Sequence, residues 1–195
     1  KLAEIPKVDY DRIGERMYAE IVYVNCDAEA TADKYVALVQ KAAALGRTLI
    51  LGCSDPEIAK AALAVCKDSK PGLNGANASN YEAMNAVATA AGVVLGVSGK
   101  DLNELYDTTA AIEKLGNKNL VLDVTGADIK ETFGNAVQVR RAALKDQDRT
   151  FGYPSIVNLA KIAGGDYHLQ AGLAAMFTMK YGSIVVMERM TYAEA

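Results

Sequence analysis

Thr48-Leu49-Ile50-Leu51-Gly52-Cys53-Ser54-Asp55-Pro56-Glu57-Ile58-Ala59-Lys60-Ala61-Ala62-Leu63-Ala64-Val65 holds one complete structural unit. Its opening apolar run shows no polar alternation, as expected of a strand covered on both faces. Ile58, Ala62 and Val65 then recur at three- and four-residue steps, which lays one apolar stripe along a helix. Between them Ser54 and Glu57 have the spacing of a capping box, in which two side chains satisfy the first orphan amides of a helix. The same unit repeats outward in both directions. Strands are read at 19–24, 48–51, 72–74, 93–97, 120–123, 155–157 and 183–187. Ser79 with Glu82 and Asp101 with Glu104 repeat the capping pair, while Gly46, Gly92 and Gly116 stand where helices end in a left-handed residue.

Alternating strands and helices argue for a parallel sheet covered by its crossover helices. A doubly wound sheet is one solution, and a (β/α)8 TIM-type barrel is the other. Seven similar units with no dinucleotide fingerprint favour the barrel, with the eighth strand expected beyond Ala195. Residues 1–16 read as a lead-in segment laid across the barrel bottom, and residues 17–195 as the barrel domain. The amino terminus lacks an initiator Met and a signal pattern, so the chain reads as internal to a longer protein.

The 195 residues suffice for one domain. Hydrophobic residues make up 51% and charged residues 23%, which is a globular composition. A net charge of −3 with scattered Lys and Arg provides no basic stripe, so nucleic acid is a poor partner. Apolar runs such as 92–98 fall far short of the ~20 residues that cross a bilayer, so no membrane span is expected. Cys26, Cys53 and Cys66 are widely spaced and read as buried free thiols of a cytoplasmic protein.

No catalytic constellation emerges. His168 is the single histidine, in the first turn of a helix after Gly164-Gly165-Asp166, without a nucleophile motif beside it. There is no G-x-S-x-G, H-E-x-x-H or Cys-x-x-Cys pattern. The run Gly96-Val97-Ser98-Gly99-Lys100-Asp101 resembles a phosphate loop, but Val94 replaces its first glycine and Asp101 its Ser or Thr. An aldolase-type lysine is not in place either, since Lys70 and Lys180 precede strands and belong at the barrel bottom. In a barrel the informative positions are the carboxyl ends of the strands. Asn25, Asn74, Asn77, Asp123 and Asn158 fall there, forming a ring of amides and one carboxylate suited to a planar heterocycle. Each of them also fits an ordinary turn or cap. Arg140 and Arg141, followed by Lys145, Asp146, Asp148 and Arg149, read either as a solvated helix end or as a docking surface.

Five segments, in order, resemble one family. They are Leu49-Ile50-Leu51-Gly52-Cys53-Ser54-Asp55-Pro56-Glu57; Lys70-Pro71-Gly72-Leu73-Asn74-Gly75-Ala76-Asn77-Ala78-Ser79-Asn80-Tyr81-Glu82-Ala83-Met84; Asn119-Leu120-Val121-Leu122-Asp123; Val139-Arg140-Arg141-Ala142-Ala143 with Phe151-Gly152-Tyr153-Pro154; and Lys180-Tyr181-Gly182-Ser183-Ile184-Val185-Val186. The sequence is similar to the central barrel domain of the large (gamma) subunit of the corrinoid iron-sulfur protein of the CO dehydrogenase/acetyl-CoA synthase complex. That resemblance implies a TIM barrel within a methyl carrier, whose cobamide takes a methyl group from methyltetrahydrofolate through a methyltransferase and passes it to acetyl-CoA synthase. It implies a [4Fe-4S] domain before the barrel and a cobamide domain after it in the full-length subunit. Three scattered cysteines make no cluster-binding run here, so neither group is expected to bind this segment. Its implied role is a scaffold that docks the small subunit of the corrinoid iron-sulfur protein, acetyl-CoA synthase and the methyltransferase, with Arg140, Arg141 and Tyr153 as docking residues. The alternative is a pterin-binding methyltransferase barrel that itself holds methyltetrahydrofolate through Asn74, Asn77, Asp123 and Asn158.

Overall fold

A computed structural model describes residues 1–27 and 31–194. Its main body is a parallel sheet of seven strands: β3 (Ile21–Asn25), β4 (Thr48–Gly52), β5 (Gly72–Ala76), β6 (Leu95–Val97), β7 (Leu120–Asp123), β8 (Ser155–Asn158) and β9 (Ile184–Val186). Spatial order equals chain order, β3-β4-β5-β6-β7-β8-β9, and every neighbouring pair is parallel. A doubly wound sheet reverses its order at a switch point, so this one is instead a nearly closed barrel. Helices cover its outside: α1 (Ala32–Ala43), α2 (Pro56–Ala64), α3 (Tyr81–Ala91), α4 (Leu102–Lys114), α5 (Ile129–Lys145), the short α6 (Leu159–Ile162) and α7 (Tyr167–Lys180).

Strand side chains alternate, which splits the core in two. Leu49 and Leu51 turn outward and join Val22, Val24, Leu95, Leu120 and Leu122 in the layer beneath the helices. Ile50, Val121 and Ile156 turn inward, and with Tyr23, Val94, Ile184 and Val186 they form a separate cluster inside the barrel. The uninterrupted apolar runs follow from this, because both faces of each strand are buried.

Local signals are largely realised, with two corrections. Asp101 accepts from the Glu104 amide at 2.9 Å as expected. At α2 the cap is Asp55 rather than Ser54: its carboxylate takes the Glu57 and Ile58 amides at 2.9 and 3.0 Å, because Pro56 fixes the first helical residue one place further on. At α3 the Ser79–Glu82 box does not form. The Ser79 amide and hydroxyl both turn to Asn77 Oδ1, at 2.9 and 2.6 Å, which closes a turn one residue before the helix. Gly92 ends α3 with φ +67°, a conformation that costs glycine no Cβ clash.

The lead-in differs from expectation. Residues Leu2–Lys7 form a 3-10 turn, and β1 (Asp9–Arg12) pairs antiparallel with β2 (Glu15–Tyr18) around Ile13-Gly14, both at positive φ. This segment does not cross the bottom. Tyr18 stacks on Arg47 at the start of β4, whereas Lys1 pairs with Glu188 beyond the far end of β9 and feels the Asp27 carboxylate beyond the far end of β3. Tyr10 donates to the Met190 carbonyl at 3.3 Å and stacks edge-on against Tyr192. The segment therefore runs lengthwise beside the two edge strands, held by Tyr and Arg contacts that pair residues from opposite ends of the chain. The eighth strand expected past Ala195 lies outside the described residues.

Candidate functional site

The upper half of the barrel interior is polar, and it is built from alternate strands. Tyr23 on β3, Asn74 on β5 and Asp123 on β7 all point inward. Asn74 Nδ2 donates to Asp123 Oδ2 at 2.8 Å and to the Tyr23 hydroxyl at 3.1 Å. The intervening strands contribute glycines. A Cβ on Gly52 of β4 would come within 2.5 Å of the Tyr23 hydroxyl, and one on Gly96 of β6 within 2.2 Å of Asn74 Oδ1. Large polar side chains from odd strands thus lie over bare backbone on the even ones, which is the close approach that a strand glycine permits.

Gly75 shapes the same level. It has φ +153°, and a Cβ there would meet the Cys53 carbonyl at 2.2 Å. The register of β5 against β6 slips between Asn74 and Ala76 at this point, a bulge that aims Asn74 into the lumen.

Asp123 is held from both sides. Its Oδ1 accepts the Thr125 amide at 3.0 Å, and Thr125 Oγ1 accepts the Asn158 amide at 2.8 Å, so the carboxyl ends of β7 and β8 are stitched together. Burial pushes the Tyr23 phenol up to about 12, the Asn74 amide pulls it partly back, and the Asp123 charge adds to the rise. Asn74 is 4% exposed, and its Oδ1 has no hydrogen-bond partner among the described residues. The site therefore offers a half-buried phenol, a carboxylate and one unengaged amide oxygen. Below it the lumen continues as an apolar cavity of about 320 Å³ lined by Ile50, Val121, Ile156 and Ile184.

Not all the residues singled out in the sequence meet here. Asn74 and Asp123 do. Asn77 is occupied in the turn before α3, and the Asn158 side chain accepts the Lys161 amide at 3.2 Å to cap α6. Asn25 donates to the neighbouring Asp27 at the barrel mouth. Tyr23, Gly52 and Gly96 were not anticipated. Their signal was a tyrosine between Val22 and Val24, and glycines inside two apolar strands. Arg140 and Arg141 are exposed on the last turns of α5 and make no ion pair among the described residues. Tyr153 is half-buried at the barrel bottom, where it donates to Glu113 Oε1 of α4 at 2.7 Å. His168 is exposed in the first turn of α7. The three cysteines are free, and no group of three or more His, Cys, Asp or Glu side chains among the described residues is arranged to hold a metal. A [4Fe-4S] cluster, which needs four thiolates, does not fit them. None of the described helices is long and apolar enough to cross a membrane.

Fold and lumen define a TIM-type barrel of the dihydropteroate synthase shape. The dihydropteroate synthase of Thermus thermophilus in complex with 6HMPPP superposes with a TM-score of 0.64 at 17% identity, over 87% of this chain and 77% of that one. Its complex with 4-aminobenzoate gives 0.63 at 18% identity, over 87% and 78%. At such identity the likeness is one of fold. The chain belongs to the CO dehydrogenase/acetyl-CoA synthase delta subunit family, whose model matches residues 2–195. The curated relatives are described as large or gamma subunits. The corrinoid/iron-sulfur protein large subunit of Moorella thermoacetica is 35% identical over 187 residues, covering 96% of this chain and 41% of the relative. The acetyl-CoA decarbonylase/synthase complex subunit gamma of Archaeoglobus fulgidus is 32% identical over 163 residues, covering 78% and 35%. The chain thus spans about two-fifths or less of these relatives' length.

Proposed function

We propose that this barrel is the scaffold and docking unit of a cytoplasmic corrinoid iron-sulfur protein, which carries a methyl group from methyltetrahydrofolate, through a methyltransferase, to acetyl-CoA synthase. The observation behind it is family membership along the whole chain, combined with a lumen whose polar side chains mostly bond one another. Cobamide and iron-sulfur chemistry belong, on this reading, to parts of the subunit outside these residues. The exposed pair Arg140 and Arg141, free of internal ion pairs among the described residues, supplies a charged contact for the small subunit of the corrinoid protein, the methyltransferase or the synthase. Tyr153, tied to Glu113, supports the bottom of the barrel beside them. The test is reconstitution of the full subunit with those partners. Methyl transfer that requires the partners supports the proposal, whereas turnover of methyltetrahydrofolate by this barrel alone overturns it.

One observation favours a second reading, in which the barrel itself binds a pterin: the unengaged Asn74 Oδ1 beside Asp123 and Tyr23, at the strand ends. A fused heterocycle with adjacent donors and acceptors suits such a set. Equilibrium binding of methyltetrahydrofolate to Asp123→Ala, Asn74→Ala and Asn77→Ala variants tests it. Affinity lost in the first two and kept in the third supports the pterin site, and unchanged affinity in all three eliminates it.

A further inference from the structure

Cys26 and Cys53 directly follow β3 and β4. The register pairs Asn25 with Gly52, so the two cysteines stand opposite one another at the next step of the ladder. The ladder continues through them, since the Cys26 amide donates to the Gly52 carbonyl at 2.7 Å and the Cys53 amide to the Asn74 carbonyl at 2.9 Å. By strand alternation both side chains share the outward parity of Val24 and Leu51, and both enter the apolar layer beneath the helices. Neighbouring strands lie ~4.8 Å apart. That falls within the ~4.4–6.8 Å separation of Cα atoms that a disulfide bridges. Cys53 Sγ donates to the Asp55 carbonyl at 3.5 Å, in the turn just beyond the ladder. Cys66 is engaged elsewhere, with its Sγ donating to the Ala62 carbonyl of α2 at 3.3 Å.

We propose that Cys26 and Cys53 form a redox-active dithiol that closes to a cross-strand disulfide when the protein meets a low-molecular-weight disulfide oxidant. The two thiols have different access, and that sets the order of events. Cys26 is half-buried beside the barrel mouth and within reach of solutes, whereas Cys53 is 2% exposed. The Cys26 thiolate attacks one sulfur of the oxidant, whose S–S bond breaks and releases one thiol bearing the proton. The Cys53 thiolate then attacks Cys26 Sγ in the mixed disulfide and expels the second thiol. Two protein S–H groups become one S–S bond, and the oxidant's S–S bond becomes two S–H groups.

The bond would join an edge to its neighbour. β3 stands at one edge of the seven strands, and among the described residues its strand partner is β4. A link at Cys26 ties that end to the turn carrying Asp55, the cap of α2, and fixes Asn25 and Asp27 at the mouth.

Peptide mapping of the full-length subunit tests this. Trypsin separates the three thiols into residues 17–34, 48–60 and 61–67. After treatment of the reduced protein with oxidised glutathione, the expected product is peptide 17–34 linked to 48–60, lighter by two hydrogens than the reduced pair and restored by dithiothreitol. Cys66→Ser leaves that product unchanged, and Cys26→Ser abolishes it without placing glutathione on Cys53. A glutathione adduct that persists on Cys26 without closing, a Cys53–Cys66 link, or no change in mass overturns the proposal.

Discussion

Asn74 on β5 reaches over Gly96 on β6 to donate a 2.8 Å hydrogen bond to Asp123 on β7, so the strand between them contributes only backbone at that level. A methyl group on Gly96 would occupy the place of Asn74 Oδ1 and lie 3.0 Å from the Asn74 Cα. Gly96→Ala is expected to lower stability by about 1–3 kcal/mol, the usual cost of overpacking a filled interior. Urea unfolding measures it, and an unchanged midpoint would show that the lumen has slack.

Asn74→Ala deletes the shared donor and leaves the Tyr23 hydroxyl and Asp123 Oδ2 each short of a partner. The expected loss is again about 1–3 kcal/mol, the cost of stranding buried polar groups. Asn74→Asp should do worse at neutral pH than at acid pH, because it sets a second carboxylate against Asp123. Comparing the two unfolding midpoints across pH checks this.

Tyr23 and Tyr153 are both pushed up to about 12, in each case chiefly by burial, with the Glu113 hydrogen bond and charge adding to it at Tyr153. In the unfolded chain a phenol ionises near 10. Between these values the unfolded state sheds its proton first, so the stabilisation is complete below pH 10 and is lost as pH rises through about 12. Tyr23→Phe and Tyr153→Phe should each flatten the alkaline decline in the urea midpoint. Glu113→Gln should bring the Tyr153 transition, followed by ultraviolet absorbance, back toward its ordinary value.

Cys53 is buried and its thiol is pushed up to about 11, chiefly by desolvation. Alkylation of the reduced protein by a maleimide near neutral pH should therefore label Cys26 well before Cys53. Labelling of Cys53 should accelerate steadily as pH rises. Time-resolved mass spectrometry of the same tryptic peptides reads both rates.

Arg140→Glu with Arg141→Glu should leave the urea midpoint within about 0.5 kcal/mol, since exposed side chains away from packed features carry little stability. The double reversal should weaken association of the full subunit with at least one of its proposed partners, with a salt dependence smaller than that of the parent. Sedimentation or titration calorimetry of the pair checks it.

The βα units were legible because their signals are local. The helix after β4, the Asp101–Glu104 cap and the glycine at the end of α3 depend on neighbours within a turn or two, although the buried stripe of α2 is Ala59, Ala62 and Leu63, and Val65 lies exposed just past its end. Even there, competition between adjacent polar residues decided the detail. Ser54 lost the cap to Asp55 because Pro56 sets the helix start, and Ser79 lost it because Asn77 offered a nearer acceptor. Of the five residues in the expected ring, three are engaged elsewhere although they share composition and position with Asn74 and Asp123: Asn25 bonds Asp27, and the Asn77 and Asn158 side chains are consumed in a turn and a cap.

From the sequence alone came a parallel β/α barrel with its strand ends and its family resemblance, since repeat order and apolar runs are properties of the chain itself. Only the folded barrel decided that Tyr23, Asn74 and Asp123 meet, because these residues are separated by 51 and 49 positions and their contact depends on inward parity, a bulge at Gly75 and bare backbone at Gly52 and Gly96. The same holds for the lead-in hairpin, whose place beside the edge strands is set by Tyr10 and Arg12 finding Met190 and Tyr192 at the other end of the chain. Side-chain periodicity reports which face is buried, but closure of the barrel determines what each buried face touches.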